Sequence, residues 1–163
     1  MKARRTVLVA EDDANDVYLL RRAFECVELH LHLAHVPDGR QAVDYLAGVR
    51  PYSDRMLYPV PELLVTDLNM PLMDGLELLS WLRGQPQLNW LPAAVLSSSG
   101  LEADRAASLD LGARAYHVKP VNFSGLVALV PELSRQFLGV YRQAGGVFAP
   151  SQADSDLRLG DAF

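Results

Sequence analysis

Short, nearly unbroken apolar runs alternate along this chain with stretches in which apolar residues recur every three or four positions. The first run, Thr6-Val7-Leu8-Val9-Ala10, has the continuous hydrophobicity of a strand buried on both faces and stops at Glu11-Asp12-Asp13. Val17, Leu20, Ala23, Phe24 and Val27 then fall at helical spacing and predict a helix over 15–27. Residues 31–36 alternate weakly and read as a second strand, ended by Pro37-Asp38-Gly39, with a helix over 40–47 behind it. A connection over 51–61 carries three prolines, which exclude regular helix. The remaining strands are expected over 63–66, 92–96 and 115–118. Helices are expected after Gly75, over 102–111 with Gly112 closing it, and over 123–138 with Pro131 inside. Five strands alternating with helices define an α/β protein with a five-stranded parallel sheet, doubly wound so that both faces are covered.

Composition narrows the class. The 163 residues suffice for one well-buried domain but not for two ordinary ones. A net charge of -5 argues against sequence-independent nucleic-acid binding, and the small basic clusters Lys2-Arg4-Arg5 and Arg21-Arg22 read as solvated surface. Cys26 is the single cysteine, so an internal disulfide is excluded; its apolar surroundings predict a buried structural thiol. Neither a membrane-spanning run nor a secretory signal is apparent, so a cytoplasmic protein is expected.

The chemistry collects where strands end. Asp67 closes the run Leu63-Leu64-Val65-Thr66 and precedes a Pro71 to Gly75 turn, which places its carboxylate at the C-terminal edge of the sheet. The first strand delivers Glu11 and Asp12 to that edge, the fourth ends in Ser97-Ser98-Ser99, and the fifth in Lys119-Pro120. Three carboxylates with water suit the octahedral oxygen preference of Mg²⁺. Lys119 and a serine hydroxyl would hold the oxygens of a phosphoryl group, and a carboxylate is a competent phosphoryl acceptor.

These residues resemble the receiver domain of two-component response regulators, over roughly residues 6–138. The resemblance rests on Glu11-Asp12, on Asp67 with Asn69-Met70-Pro71 and Asp74-Gly75, and on Lys119-Pro120. The separations of 30 residues from Asp67 to Ser97 and 22 from Ser97 to Lys119 agree with it. It implies a flavodoxin-like (βα)5 fold with Asp67 as phosphoacceptor and Glu11 and Asp12 as metal-site acids. It further implies Asn69 as a backbone-carbonyl ligand to Mg²⁺, Ser97 as switch hydroxyl, Ser98 as the small residue beside the phosphoryl group, and Tyr116 as aromatic rotamer switch. The stretch from Glu11 to Asp16, the Pro-rich connection and Val121-Asn122-Phe123 are similar to single-domain regulators that partner phytochrome histidine kinases. A sensor histidine kinase, of the bacteriophytochrome type, is then the expected partner, and the chain promotes only its own phosphorylation and dephosphorylation.

Two residues depart from the common pattern. Ser97 keeps the hydroxyl of the more usual Thr but lacks its methyl, which leaves χ1 less restricted. Glu11 is one methylene longer than the frequent Asp, which allows a water-mediated metal contact. Two other functions compete. A Mg²⁺-dependent phosphohydrolase would need an acid two residues after the nucleophile, where this chain has Asn69. An interaction module that has lost phosphorylation would be expected to lack an acid or the lysine.

Other candidates take simpler readings. His30, His32, His35 and His117 lack the third ligand of a metal site and are expected at strand ends. Trp81 and Trp90 are expected to pack under the loop after the third helix, and Asp16 to be a first-turn acid favoured by the helix dipole. The receiver is placed at 1–140 and a tail or arm, outside the core and without an effector domain, at 141–163. Val147-Phe148 and Leu157-Arg158-Leu159 in that tail predict a homodimer in which the arm packs on the partner protomer.

Overall fold

A computed structural model describes residues 5–27, 31–139, 141–143 and 146–148. Five parallel strands form one sheet: β1 (Arg5–Ala10), β2 (Leu31–Val36), β3 (Leu63–Thr66), β4 (Ala93–Ser97) and β5 (Ala115–Val118). Their spatial order is β2-β1-β3-β4-β5, so the winding direction reverses between β1 and β3. Ala10 stands opposite Thr66 in register, which brings the residues after both strands to one edge. Helices α1 (Ala14–Cys26), α2 (Gly39–Ala47), α3 (Gly75–Arg83), α4 (Glu102–Asp110) and α5 (Phe123–Leu133) connect the strands.

The side chains of β1 alternate between two cores, as the strand period of two requires. Val7 and Val9 join Leu20, Phe24, Leu126 and Val130 beneath α1 and α5. Leu8 and Ala10 join Val43, Leu46, Leu78 and Leu79 beneath α2 and α3. Cys26 is exposed, contrary to expectation. The buried stripe of α1 runs through Val17, Leu20, Ala23 and Phe24, and Cys26 falls outside it.

The long connection before β3 is fixed rather than loose. Tyr45, Tyr52 and Tyr58 pack with ring centroids 5.1–6.0 Å apart. Arg55 donates to the carbonyls of Tyr45 at 2.9 Å and Leu46 at 3.1 Å, satisfying the C-terminal end of α2.

One further expectation is corrected. The last helix is not continuous to Leu138: α5 ends at Leu133 and a π-helical turn follows over Ser134–Leu138. Pro131 supplies no N–H to the helical ladder, and within a turn of it the helix widens. In the arm, β6 (Tyr141–Gln143) and β7 (Gly146–Phe148) pair antiparallel, with Arg142 opposite Val147. His30 and the arm residues Leu157, Leu159 and Phe163 lie outside the described residues. Among the described residues no helix is long and apolar enough to cross a membrane.

Candidate functional site

The reversal of winding between β1 and β3 opens a crevice at the C-terminal sheet edge, where open α/β folds bind their ligands. Asp67 leaves β3 into this crevice and is buried. Its Oδ1 accepts from the Leu68 amide at 2.6 Å and, at a longer 3.4 Å, from the Asn69 amide. The turn can come this close because Gly75 lacks a side chain: a Cβ there would lie 2.2 Å from the Asp67 carbonyl oxygen. Asp74 then starts α3 with a capping box, its side chain accepting from Glu77 N while Glu77 accepts from Asp74 N.

Glu11 is buried beside Asp67. Its Oε1 accepts from the Asp13 amide at 3.0 Å and its backbone carbonyl contacts His35 Nε2 at 2.8 Å. Asp13 in turn N-caps α1, accepting from Asn15 and Asp16. Asp12 between them is exposed. One carboxylate oxygen from each of Glu11, Asp12 and Asp67 lies within 4.8 Å of the other two, and this is the only such grouping of potential metal ligands among the described residues. An all-oxygen set of that size, open to solvent at Asp12, fits a hard divalent cation that keeps part of its water shell.

Lys119 is the counter-charge. Its Nζ donates to Asp67 Oδ2 at 2.9 Å and to Asp16 Oδ2 at 2.7 Å, and pairs with Glu11 Oε2 at 2.7 Å. Burial is the largest single effect on Lys119 and opposes its charge. The bonds to Asp16, Glu11 and Asp67 together outweigh it and hold the ammonium above the usual lysine range. Glu11 goes the other way. Its carboxyl is raised from the ordinary 4.5 to about 7: burial is the largest cause, the Lys119 and Asp13 bonds oppose it, and the neighbouring Asp67 charge adds to it.

Ser97 ends β4 fully buried, and its carbonyl accepts from the Lys119 amide at 2.7 Å. Its hydroxyl accepts from the Ser99 amide at 3.2 Å, not from any group of Asp67, and Ser98 is exposed. Tyr116 is buried, and its hydroxyl donates to the Ser99 carbonyl at 2.8 Å. Asn69 is exposed beside the acids.

Two residues of the site were not foreseen from the sequence. Asp16 does stand in the first turn of α1, but its side chain also reaches Lys119. The helical spacing of Asp16, Leu19 and Leu20 behind the acid pair was the available signal, and all three line the crevice, a cavity of about 110 Å³. Ser99 links three elements: its amide meets Ser97, its carbonyl meets Tyr116, and its hydroxyl contacts Asp104 of α4. A run of three serines gives no sign of which one does this.

The histidines form no metal grouping among the described residues. Trp81 is partly buried against the core as expected. Trp90 is not packed under the loop: it is half exposed, with its indole N–H donating to the Gln87 carbonyl at 3.0 Å.

An acidic crevice at the switch point of a parallel sheet, with a buried carboxylate at its centre and a lysine across from it, is the ligand-site arrangement of the open α/β class. Comparison with known proteins makes that class specific: the chain belongs to the response regulator receiver domain family, which it matches over residues 7–131. It is 30% identical over 126 residues to the response regulator Rcp1 of Synechocystis, covering 77% of this chain and 84% of that protein. The phosphorylated cyanobacterial phytochrome response regulator RcpA superposes with a TM-score of 0.76 at 29% identity, over 89% of this chain and 99% of the other. The response regulator RPA3017 of R. palustris, from red light signalling, gives a TM-score of 0.77 at 30% identity over the same shares.

Proposed function

We propose that this chain is the phosphoacceptor of a two-component phosphorelay, taking a phosphoryl group from a histidine kinase onto Asp67 and signalling through protein–protein contacts. The observation that carries this reading is the Asp67 carboxylate, buried at the end of β3, bonded by a backbone amide on one oxygen and by Lys119 on the other. In the transfer an Asp67 oxygen bonds the phosphorus of a phosphohistidine. The P–N bond breaks and its electron pair stays on the imidazole nitrogen. Lys119 holds a phosphoryl oxygen as it now holds Oδ2, and Ser97, turned from Ser99, donates to another. Glu11, Asp12, Asp67 and the Asn69 carbonyl would hold Mg²⁺, which when bound offsets the charge between the incoming phosphoryl group and the carboxylates. The acid cluster and the existence of a Mn²⁺-bound form of Rcp1 support divalent metal binding. The chain promotes only its own phosphorylation and dephosphorylation under this reading, since Asn69 stands where a phosphohydrolase keeps its acid.

The kinase is a phytochrome-type sensor. What supports this is the description of RcpA as a phytochrome regulator and of RPA3017 as a component of red light signalling. The receiver occupies residues 1–140, and the segment after Gly139 joins two copies into a homodimer. Light scattering on a chain truncated after Val140 checks the last point, and a dimer that survives truncation rejects it.

The test of the acceptor is covalent labelling. With Mg²⁺ and acetyl phosphate the native chain should gain one phosphoryl group, and Asp67→Asn should gain none. Equal labelling of the two chains would reject Asp67.

A further inference from the structure

Resting on the reading of Asp67 as acceptor, we propose that Asp16 is a positioning residue for phosphoryl transfer, one that shares the Lys119 ammonium with Asp67 and holds part of its charge at the mouth of the site. An ammonium has three N–H donors and no more. In this chain three carboxylates take them, Glu11 and Asp16 at 2.7 Å and Asp67 at 2.9 Å, and the acceptor is the most distant of the three. A phosphoryl group on Asp67 brings new oxygens that need a donor from Lys119, so one of the present partners must give way.

Exposure decides which one. The side chains of Glu11 and Asp67 are each 7% exposed, whereas that of Asp16 is 40% exposed. Glu11 has no water at hand to replace an ammonium N–H it gives up, whereas releasing Asp16 returns a carboxylate to water. The positions agree with this. Glu11 is fixed at the end of a core strand, while Asp16 projects from the first turn of α1 into the mouth of the crevice, beside Leu19, Val121 and Phe123.

Asp16 therefore occupies the donor that the phosphoryl group will need. It also sets a negative charge where an anionic phosphodonor must pass. Both effects oppose phosphoryl capture in the resting chain. The helix-dipole reading of Asp16 remains true of its backbone position but predicts only a change in helix stability.

The experiment compares the full chain with Asp16→Asn, which removes the charge, and Asp16→Glu, which keeps the charge on a side chain one methylene longer. Beryllium trifluoride, a non-reacting phosphoryl mimic, is titrated at saturating Mg²⁺, and labelling of Asp67 by acetyl phosphate is timed under the same conditions. The Asn variant should bind the mimic more tightly and label faster, each by about two- to fivefold, the effect of one partly exposed ion pair. The Glu variant should stay close to the native chain. Unchanged or weaker mimic binding in Asp16→Asn, or a Glu variant that follows it, overturns the proposal. Asp67→Asn run in parallel separates the two levels: labelling that persists there rejects the acceptor, while labelling lost there with no effect of Asp16→Asn rejects only the role of Asp16.

Discussion

Helices α3 and α4 are neighbours of equal length, nine residues each, and they are attached to the protein in opposite ways. α3 buries Gly75, Leu78, Leu79 and Leu82 and begins with a capping box. α4 buries only Ser108, and its N-cap position, Leu101, supplies no side-chain hydrogen bond. Polar contacts do much of the holding: Ser99 to Asp104 at its start, and Arg83 to the Asp110 carbonyl, at 2.7 Å, at its end. Apolar burial is non-directional and resists small displacements in proportion to area, whereas a few hydrogen bonds can be exchanged for others at little net cost. Asp67 thus sits between β3 and the firmly packed α3, while α4, which follows the neighbouring strand β4, has the weaker attachment. Segments with few buried apolar contacts populate the low end of local stability, where switching elements are found.

The largest expected effect tests the firm side. Leu79 is 1% exposed in the core under α3. Leu79→Ala should cost about 2–5 kcal/mol in urea unfolding, the range for a buried leucine whose cavity cannot fully collapse. A loss of under about 1 kcal/mol would mean that α3 is no better anchored than α4, and the contrast would fail.

The same contrast says which half responds to pH. Glu11 follows β1, the strand paired with β3, and burial, above all, raises its carboxyl from 4.5 to about 7 in the folded chain. A group whose folded value is raised contributes stability that is complete below its unfolded value and fades as pH rises through the folded one. In the metal-free chain this contribution should decline between about pH 4.5 and pH 7, by an amount on the order of 3 kcal/mol. Lys119 is raised above its ordinary 10.5 and is constant across that window. Glu11→Gln should remove the decline, so the stability difference between variant and native chain should open over the same interval. Because a cation prefers the ionised carboxylate, Mg²⁺ affinity of the native chain should rise through about pH 7. A variant whose stability profile parallels the native one would place the titration elsewhere.

How much of this was readable in advance follows from what each feature depends on. The five strands and the acids at their ends were legible because parallel strands buried on both faces are continuous apolar runs, and a carboxylate that interrupts such a run must sit at an edge. Glu11, Asp12, Asp67 and Lys119 come together as expected. The contact between Asp16 and Lys119 was not legible, since it joins side chains 103 positions apart, and a first-turn acid needs no partner to be explained. Cys26 and Trp90 were misplaced for a related reason: being apolar says that a residue can be buried, not that its helix or loop turns it inward. The π turn after Leu133 and the β6–β7 pairing depend on local hydrogen-bond choices that hydrophobic periodicity does not encode.

The smallest expected effect bears on the loose side and decides whether α4 is a movable part. Ser99 is the joint there. Its amide reaches the Ser97 hydroxyl, its carbonyl takes the Tyr116 hydroxyl, and its own hydroxyl contacts Asp104 and accepts from the Leu101 amide at 3.3 Å. Ser99→Ala keeps the first two bonds, which use the backbone, and removes only the side-chain ties to α4. One net hydrogen bond is worth about 1 kcal/mol, or about a fivefold change in an opening equilibrium. Amide hydrogen exchange should therefore quicken about fivefold through the first turns of α4, while α3 exchanges as before, because no bond to α3 is lost. If α3 and α4 quicken together, the two helices open as one unit and α4 is no independent part. If neither changes, the Ser99 hydroxyl is not what ties α4 to the sheet edge.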